Sequence, residues 1–405
     1  MTDLDLVPTA LVAGGAALAR DADGRVVFVE GALPGERVTA RLTEERKDFA
    51  RAVTVAVREA SPDRVAPPCP ALAAGCGGCT WQHVAPEAQV RLKAGIVTDA
   101  LRRIARLPDP PVLSVVPLPG PARRTTARLA VTDSGRAGHR PRGGGDAGAA
   151  VETGACLAAH PLLEELIVAG RYPGAGEVLL RVGVASGERL VQVRAAGSAA
   201  GVRVPVGVTV VAQGDGRAAF VHEEVAGRRF RVSAASFFQP GPMAAEALVA
   251  AVSDAVGDSL PAGGHLVDAY AGVGLFASAL GATRRARVTA VESDRAAVAD
   301  ARVNLSGLDA RVVRSEVGRW RPGGKGGRVD VVVADPSRPG LGRPGVAALA
   351  ALDAPRLVLV SCDPASLARD ATLLAAAGYG LSSVALVDAF PHTFHVETVA
   401  RFDRG

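Results

Sequence analysis

The pattern of hydrophobic and polar positions changes texture twice along the chain. Residues 25–30, 36–42 and 50–57 carry β-branched or alternating runs separated by glycine turns. That spacing predicts short strands of a small five-stranded barrel within residues 1–60. Residues 85–107 read as a helix, with Val90, Ile96, Val97, Leu101 and Ile104 forming an apolar stripe among arginines and a lysine. Residues 110–235 alternate with a period of two and turn at glycines, so an antiparallel sheet is expected, with a glycine-rich loop at 143–150. Beyond residue 240 helical periods alternate with short apolar runs. A helix is expected at 242–256, and strands at 265–268, 287–292, 330–334, 356–361 and 380–387. Alternation of this kind builds a doubly wound α/β sheet. The divisions predicted are 1–60, a central 61–235 and a C-terminal 236–405.

Composition adjusts this picture in a few places. A chain of 405 residues spans two to three domains of ordinary size. Hydrophobic residues at 48% and charged residues at 21% supply cores and exclude a mostly disordered chain. No apolar run reaches membrane-spanning length and the acidic first residues do not resemble a secretory signal, so a cytoplasmic protein without a membrane partner is expected. A net charge of +5 and a pI near 9.2 are compatible with a nucleic-acid partner. Arginine supplies nearly all of the positive charge, because only Lys47, Lys93 and Lys325 are lysines, so charge alone carries little weight.

Five motifs carry chemistry. The run from His265 to Ala277 ends a strand at Asp268, turns through Gly272-x-Gly274 and opens a helix. Such a turn brings backbone close to a ligand, and Glu292, ending the next strand, is placed to accept ribose hydroxyls. The third glycine of a dinucleotide fingerprint is missing, which favours S-adenosylmethionine over NAD. Asp335, before Pro336, closes another apolar strand. Cys362 closes a third, ahead of a helical segment whose N-terminus would lower its pKa. Glu397 follows a Pro391 turn and could serve as a general base, with His392 and His395 as alternatives. Cys69-x6-Cys76-x2-Cys79, with Cys156 far downstream, fits a four-thiolate zinc or iron–sulfur site.

Taken in order, these motifs resemble the RNA 5-methyluridine methyltransferase family, the 23S rRNA (uracil-5-)-methyltransferases and their tRNA relatives. The resemblance spans nearly the whole chain. It includes residues 28–38 and 61–65, which look like a TRAM domain, then Ser236 to Gln239, the Asp268 to Phe276 stretch, Cys362 with Asp363 and Pro364, and Phe390 to Glu397. The resemblance implies an α/β fold: a class I Rossmann-like S-adenosylmethionine methyltransferase domain, an N-terminal OB-like TRAM β-barrel and a small central β-rich domain. It implies cofactor contacts from Gln239, Tyr270, Glu292 and Asp335, with Leu275 matching a further one. It makes Cys362 the nucleophile, Glu397 the base, and Cys69, Cys76, Cys79 and Cys156 ligands of a [4Fe-4S] cluster, with zinc as the alternative. It implies that the helix near 85–110 packs on the catalytic domain. RNA is the expected partner, rRNA ahead of tRNA, and the enzyme is expected to be a monomer.

There are departures from the family pattern. Six residues fill the first cysteine gap where five is usual, Ser337 follows Pro336, and Asp363 follows Cys362 where asparagine is common. Arg314, Ser315 and Glu316 stand where the family offers an acidic or amide contact. A radical methylthiotransferase would need C-x3-C-x2-C, which is absent, and a catalytically silent RNA-binding chain would lack Cys362 or Glu397.

Overall fold

A computed structural model describes residues 2–116, 118, 120, 123–142, 149–194, 199–215, 218–322 and 327–405. Most of the glycine-rich segment 143–150 and Lys325 therefore lie outside the described residues.

The N-terminal sheet has six strands rather than five. They lie in the order Asp3–Leu6, Arg37–Glu45, Phe49–Glu59, Val26–Glu30, Ala17–Arg20 and Ala10–Leu11. The three strands that periodicity did not reveal have two to four residues each, too few to show a period. Glu36, fully buried, locks the Pro34–Gly35 turn to the next segment. It accepts from Leu33 N at 2.8 Å, Ser61 N at 3.2 Å and the Arg64 guanidinium at 2.5 and 2.8 Å. The similarity at 28–38 and 61–65 thus reflects one buried charge network.

The central sheet runs Val208–Ala212, Arg189–Arg194, Glu177–Val182, Thr126–Val131, Ala137–Gly138, and the helix Pro161–Ala169 covers it. It is mixed rather than antiparallel, because Arg189–Arg194 pairs in parallel with Val208–Ala212. The hairpin Phe220–Val225 and Arg228–Ser233 leaves this sheet and packs into the core of the C-terminal half.

The large sheet has eight strands in the order Ala310–Arg314, Arg287–Glu292, His265–Ala269, Val331–Ala334, Arg356–Ser361, Glu397–Arg404, Tyr379–Val387, Ser114–Val116. All neighbours are parallel except Glu397–Arg404, which is antiparallel on both sides. Its central strands are apolar on both faces, as parallel strands covered by helices must be. One face packs Leu266, Val331 and Val358 under the helices Pro242–Val256 and Leu275–Arg284. The other packs Val267, Val332 and Leu359 under Gly342–Ala350, Pro364–Ala376 and the early helix Pro86–Arg103.

Residues 61–235 are therefore not one unit. Val97, Ala100 and Leu101 share a core with Leu367 and Ala371, and Ser114–Val116 is the edge strand of the large sheet. The apolar stripe at 85–107 finds its partner about 270 residues later in the chain, a pairing that local periodicity cannot show. No described helix is long and apolar enough to cross a membrane.

Candidate active site

The turn after strand His265–Ala269 places three residues in the left-handed region: Tyr270 at φ 60°, Gly272 at 55° and Gly274 at 87°. Gly274 then begins the helix Leu275–Arg284. The Glu292 carboxylate rims this turn. It accepts from Gly272 N at 2.9 Å, Ser293 N at 2.6 Å and Asp294 N at 2.8 Å. Together with Tyr270, Ser315, Glu316, Val317 and Gly345 it lines a cavity of about 230 Å³. Gly345 has a steric reason: a Cβ there would lie 2.9 Å from the Tyr270 hydroxyl. Ser315, Glu316 and Val317 enter the site because the strand Ala310–Arg314 ends beside Glu292, with Glu292 opposite Arg314. That strand was not expected, and its end supplies the wall that the departure at 314–316 left open. Leu275 starts the helix and is buried outside the lining of this cavity.

Beneath the turn, Asp268 is fully buried. Its Oδ2 accepts from Ala277 N at 2.8 Å, and its Oδ1 has no partner. Burial pushes its carboxyl up to about 8, and the Asp335 and Glu292 charges add to the rise.

The strand Val331–Ala334 delivers Asp335 next to this turn, where Asp335 N donates to Ala269 O at 3.2 Å. Gln239 Nε2 donates to Asp335 Oδ2 at 3.3 Å. The segment that leads to Gln239 is anchored by Asp300, a buried carboxylate on the helix Arg295–Asn304, which accepts from Arg231, Ser233 and Ser236 at 2.6 to 2.8 Å. Burial raises Asp335 to about 7, while the Gln239 hydrogen bond opposes the rise.

Cys362 and Glu397 lie at the ends of the next two strands, where Ser361 pairs with Thr398. The Thr398 hydroxyl donates to Ser361 O at 2.9 Å and ties the two ends together. Cys362 behaves opposite to expectation. Burial pushes its thiol up to about 11, and the Glu397 and Asp335 carboxylates add to this, with Arg338 opposing. The helix Pro364–Ala376 does not help the thiol, because Asp363 caps it, accepting from Ser366 N at 2.7 Å. Glu397 is buried and raised well above the ordinary carboxylate range by burial and by Asp335. Its Oε1 has no hydrogen-bond partner among the described residues. His392 and His395, the alternative bases, are both lowered by burial, and His395 stands 3.2 Å from the Arg338 guanidinium. Neither has the unpartnered buried oxygen of Glu397.

The Asp335 and Glu397 carboxyls thus flank the Cys362 thiol, and the Gln239 amide is bonded to Asp335. Tyr270 and Glu292 line the adjoining cavity. Tyr270, Glu292, Asp335 and Cys362 follow the carboxyl ends of strands of the large sheet, Gln239 comes from the loop before the helix Pro242–Val256, and Glu397 opens the one antiparallel strand.

The four other cysteines share one neighbourhood. Cys76 feels the charges of Cys79 and Cys69, Cys156 feels that of Cys79, and Gly78 N donates to Cys76 Sγ at 3.4 Å. The expected ligand set is not closed, however: among the described residues no three side chains lie close enough to hold a metal ion. Burial raises the Cys76 and Cys156 thiols above their ordinary value.

A larger cavity of about 510 Å³ opens between the central sheet and the large one. Arg123, Arg124, His160, Met243, Phe390 and His392 line it. It combines cationic and aromatic groups, the combination that single-stranded nucleic acid requires.

Comparison with known proteins places these features in a context. The TRAM domain family matches residues 10–55. An RNA methyltransferase of Streptomyces avermitilis is 38% identical, over 96% of this chain and 95% of its own length. A 23S rRNA (uracil(1939)-C(5))-methyltransferase of Acidithiobacillus ferrooxidans is 32% identical, over 94% of this chain and 93% of its own. Among solved structures, the Pyrococcus abyssi tRNA (uracil-54, C5)-methyltransferase with S-adenosyl-L-homocysteine superimposes with a TM-score of 0.73. It covers 98% of this chain and 99% of that one at 24% identity, a likeness of fold.

Proposed function

The chain belongs to the RNA 5-methyluridine methyltransferase family, and on that premise we propose that it moves a methyl group from S-adenosylmethionine to carbon 5 of a uridine in RNA. 23S rRNA is the first substrate to test, because a relative over nearly the full length is named for it; tRNA is the second. The carrying observation is one thiol and one unpartnered carboxyl, Cys362 and Glu397, at tied neighbouring strand ends beside a Gly-turn cavity.

Uracil carbon 5 is a weak nucleophile. In this reading Cys362 passes its proton to water and its thiolate sulfur bonds to carbon 6. The electrons of the carbon 5–carbon 6 double bond become available at carbon 5. S-adenosylmethionine supplies a methyl group on a sulfonium, whose positive charge suits a site of three buried acids. Carbon 5 would take the methyl group as the methyl–sulfur bond breaks, its electron pair staying on sulfur to leave S-adenosyl-L-homocysteine. The Glu397 carboxylate then removes the carbon 5 proton, the double bond re-forms, and the carbon 6–sulfur bond breaks to free Cys362. Gln239, Tyr270, Glu292 and Asp335 would hold the cofactor in this reading, with Ser315, Glu316 and Val317 walling the same cavity as Tyr270 and Glu292. The target base must leave its stack to reach Cys362. The Arg123 and Arg124 cavity beside the site accommodates the strand that carries it.

Cys69, Cys76, Cys79 and Cys156 would hold a [4Fe-4S] cluster, or zinc, as a structural clip. The backbone N–H aimed at Cys76 supports a thiolate role there. Iron, sulfide and zinc contents of anaerobically purified protein decide between them, and absence of all three refutes the assignment.

The test of function is methyl transfer to ribosomal and transfer RNA separately, followed by nucleoside mass spectrometry. We expect 5-methyluridine, dependent on Cys362, in one fraction. A methyl group at any other position refutes the reading.

A further inference from the structure

Glu397 lacks a partner for Oε1, so its aim depends on the backbone that carries it. That backbone leaves a nine-residue loop, 388–396, closed by the pair Val387 and Glu397. Segments far away in the chain hold this loop.

Lys93, on the helix Pro86–Arg103, is fully buried. Its ammonium donates to Asp388 Oδ1 at 2.6 Å and Phe390 O at 2.9 Å, at the base of the loop. In a chain that otherwise uses arginine almost throughout, a compact ammonium is found where a guanidinium would need more room. Four residues earlier, Gln89 is also buried. Its Oε1 accepts from His392 N at 2.7 Å, and its Nε2 donates to Val84 O at 2.9 Å. His392 O accepts from Thr80 N at 3.0 Å and Trp81 N at 2.8 Å. His392 has φ 62°, a conformation that costs a non-glycine residue of order 1–3 kcal/mol unless its surroundings enforce it. Those three backbone hydrogen bonds enforce it.

We propose that Lys93 and Gln89 are positioning residues for Glu397. They set the loop whose last step aims the carboxylate, and they touch neither cofactor nor base. This inference rests on the assignment of Glu397 as the base. In that step the carboxylate takes the carbon 5 proton, the C–H electron pair restores the double bond, and Cys362 leaves as thiolate. A misaimed Glu397 slows this step alone, so the methylated Cys362–RNA adduct accumulates.

The experiment uses the full chain, RNA substrate and S-adenosylmethionine labelled in its methyl group. Protein–RNA complexes that survive SDS and carry the label are counted for wild type, Lys93→Met, Gln89→Met and, as control, Glu397→Gln. Thermal melting and S-adenosyl-L-homocysteine binding are read on each. Expected is labelled adduct in all three variants, with kcat falling about tenfold or more and KM for both substrates unchanged. Adduct with Glu397→Gln but with neither Lys93→Met nor Gln89→Met overturns the positioning role alone. No adduct with Glu397→Gln overturns the base assignment, and positioning with it. If Lys93→Met does not fold, Gln89→Met decides. Loss of cofactor binding in step with loss of folding in both overturns the proposal as well.

Discussion

Burial and the carboxylates Glu397 and Asp335 push the Cys362 thiol up to about 11. Its place at a strand end, ahead of a helix, reads directly from local pattern. Its protonation does not, because burial, Glu397 and Asp335 act from three other parts of the chain, and Asp363 takes the helix terminus. The sign is testable. Glu397→Gln removes a negative neighbour, so Cys362 alkylation by iodoacetamide at pH 8, followed by peptide mapping, should be faster than in the unaltered protein. An equal or slower rate contradicts the charge coupling. Asp268 gives a stability test. Its folded pKa of about 8 stands above the ~3.9 of an unfolded chain, so between these values the folded state keeps a proton that the unfolded state releases. The raised carboxyl therefore costs nothing below pH 4, and its destabilisation grows as pH rises to about 8. Asp268→Asn keeps an acceptor for Ala277 N and removes the charge. Its gain in melting temperature should be larger at pH 9 than at pH 5.

At the scale of elements, the apolar strands and the glycine turn were legible because buried parallel strands are continuous hydrophobic runs. The strand Ala310–Arg314 was not, since its burial is partial and its arginines interrupt the run. Missing it hid Ser315, Glu316 and Val317 as cavity wall. The edge strand Ser114–Val116 is too short for any period. The cavity makes a prediction of its own. Gly345→Ala puts a methyl group against the Tyr270 hydroxyl, so KM for S-adenosylmethionine should rise several-fold with little change in melting temperature. A rise in KM for RNA instead would move Tyr270 off the cofactor side.

For the whole molecule, the N-terminal third is built into the catalytic half. The turn at Gly15 in the barrel packs against Phe394 of the loop before Glu397, so closely that a Cβ at Gly15 would collide with that ring. The barrel, like Lys93, Gln89 and the Thr80–Trp81 backbone, thus packs against the loop that precedes Glu397. Gly15→Val should lower kcat by up to about 10²-fold, the scale of a 1 Å misplacement, while RNA binding measured by filter retention holds. Loss of RNA binding with kcat intact would limit the barrel to tethering. Contacts between such distant segments have no signature in local pattern, which is why the divisions at 60 and 235 follow texture and not packing.

Methylation of uracil carbon 5 through a Cys362 adduct at carbon 6 can be read from tritium release. RNA labelled at uracil carbon 5 is incubated with the protein and S-adenosylmethionine, and tritium appearing in water is counted against methyl groups entering RNA. Expected is one tritium released per methyl transferred, none without cofactor, and none with Cys362→Ala. Methyl transfer without tritium release, or release that survives loss of Cys362, would contradict it.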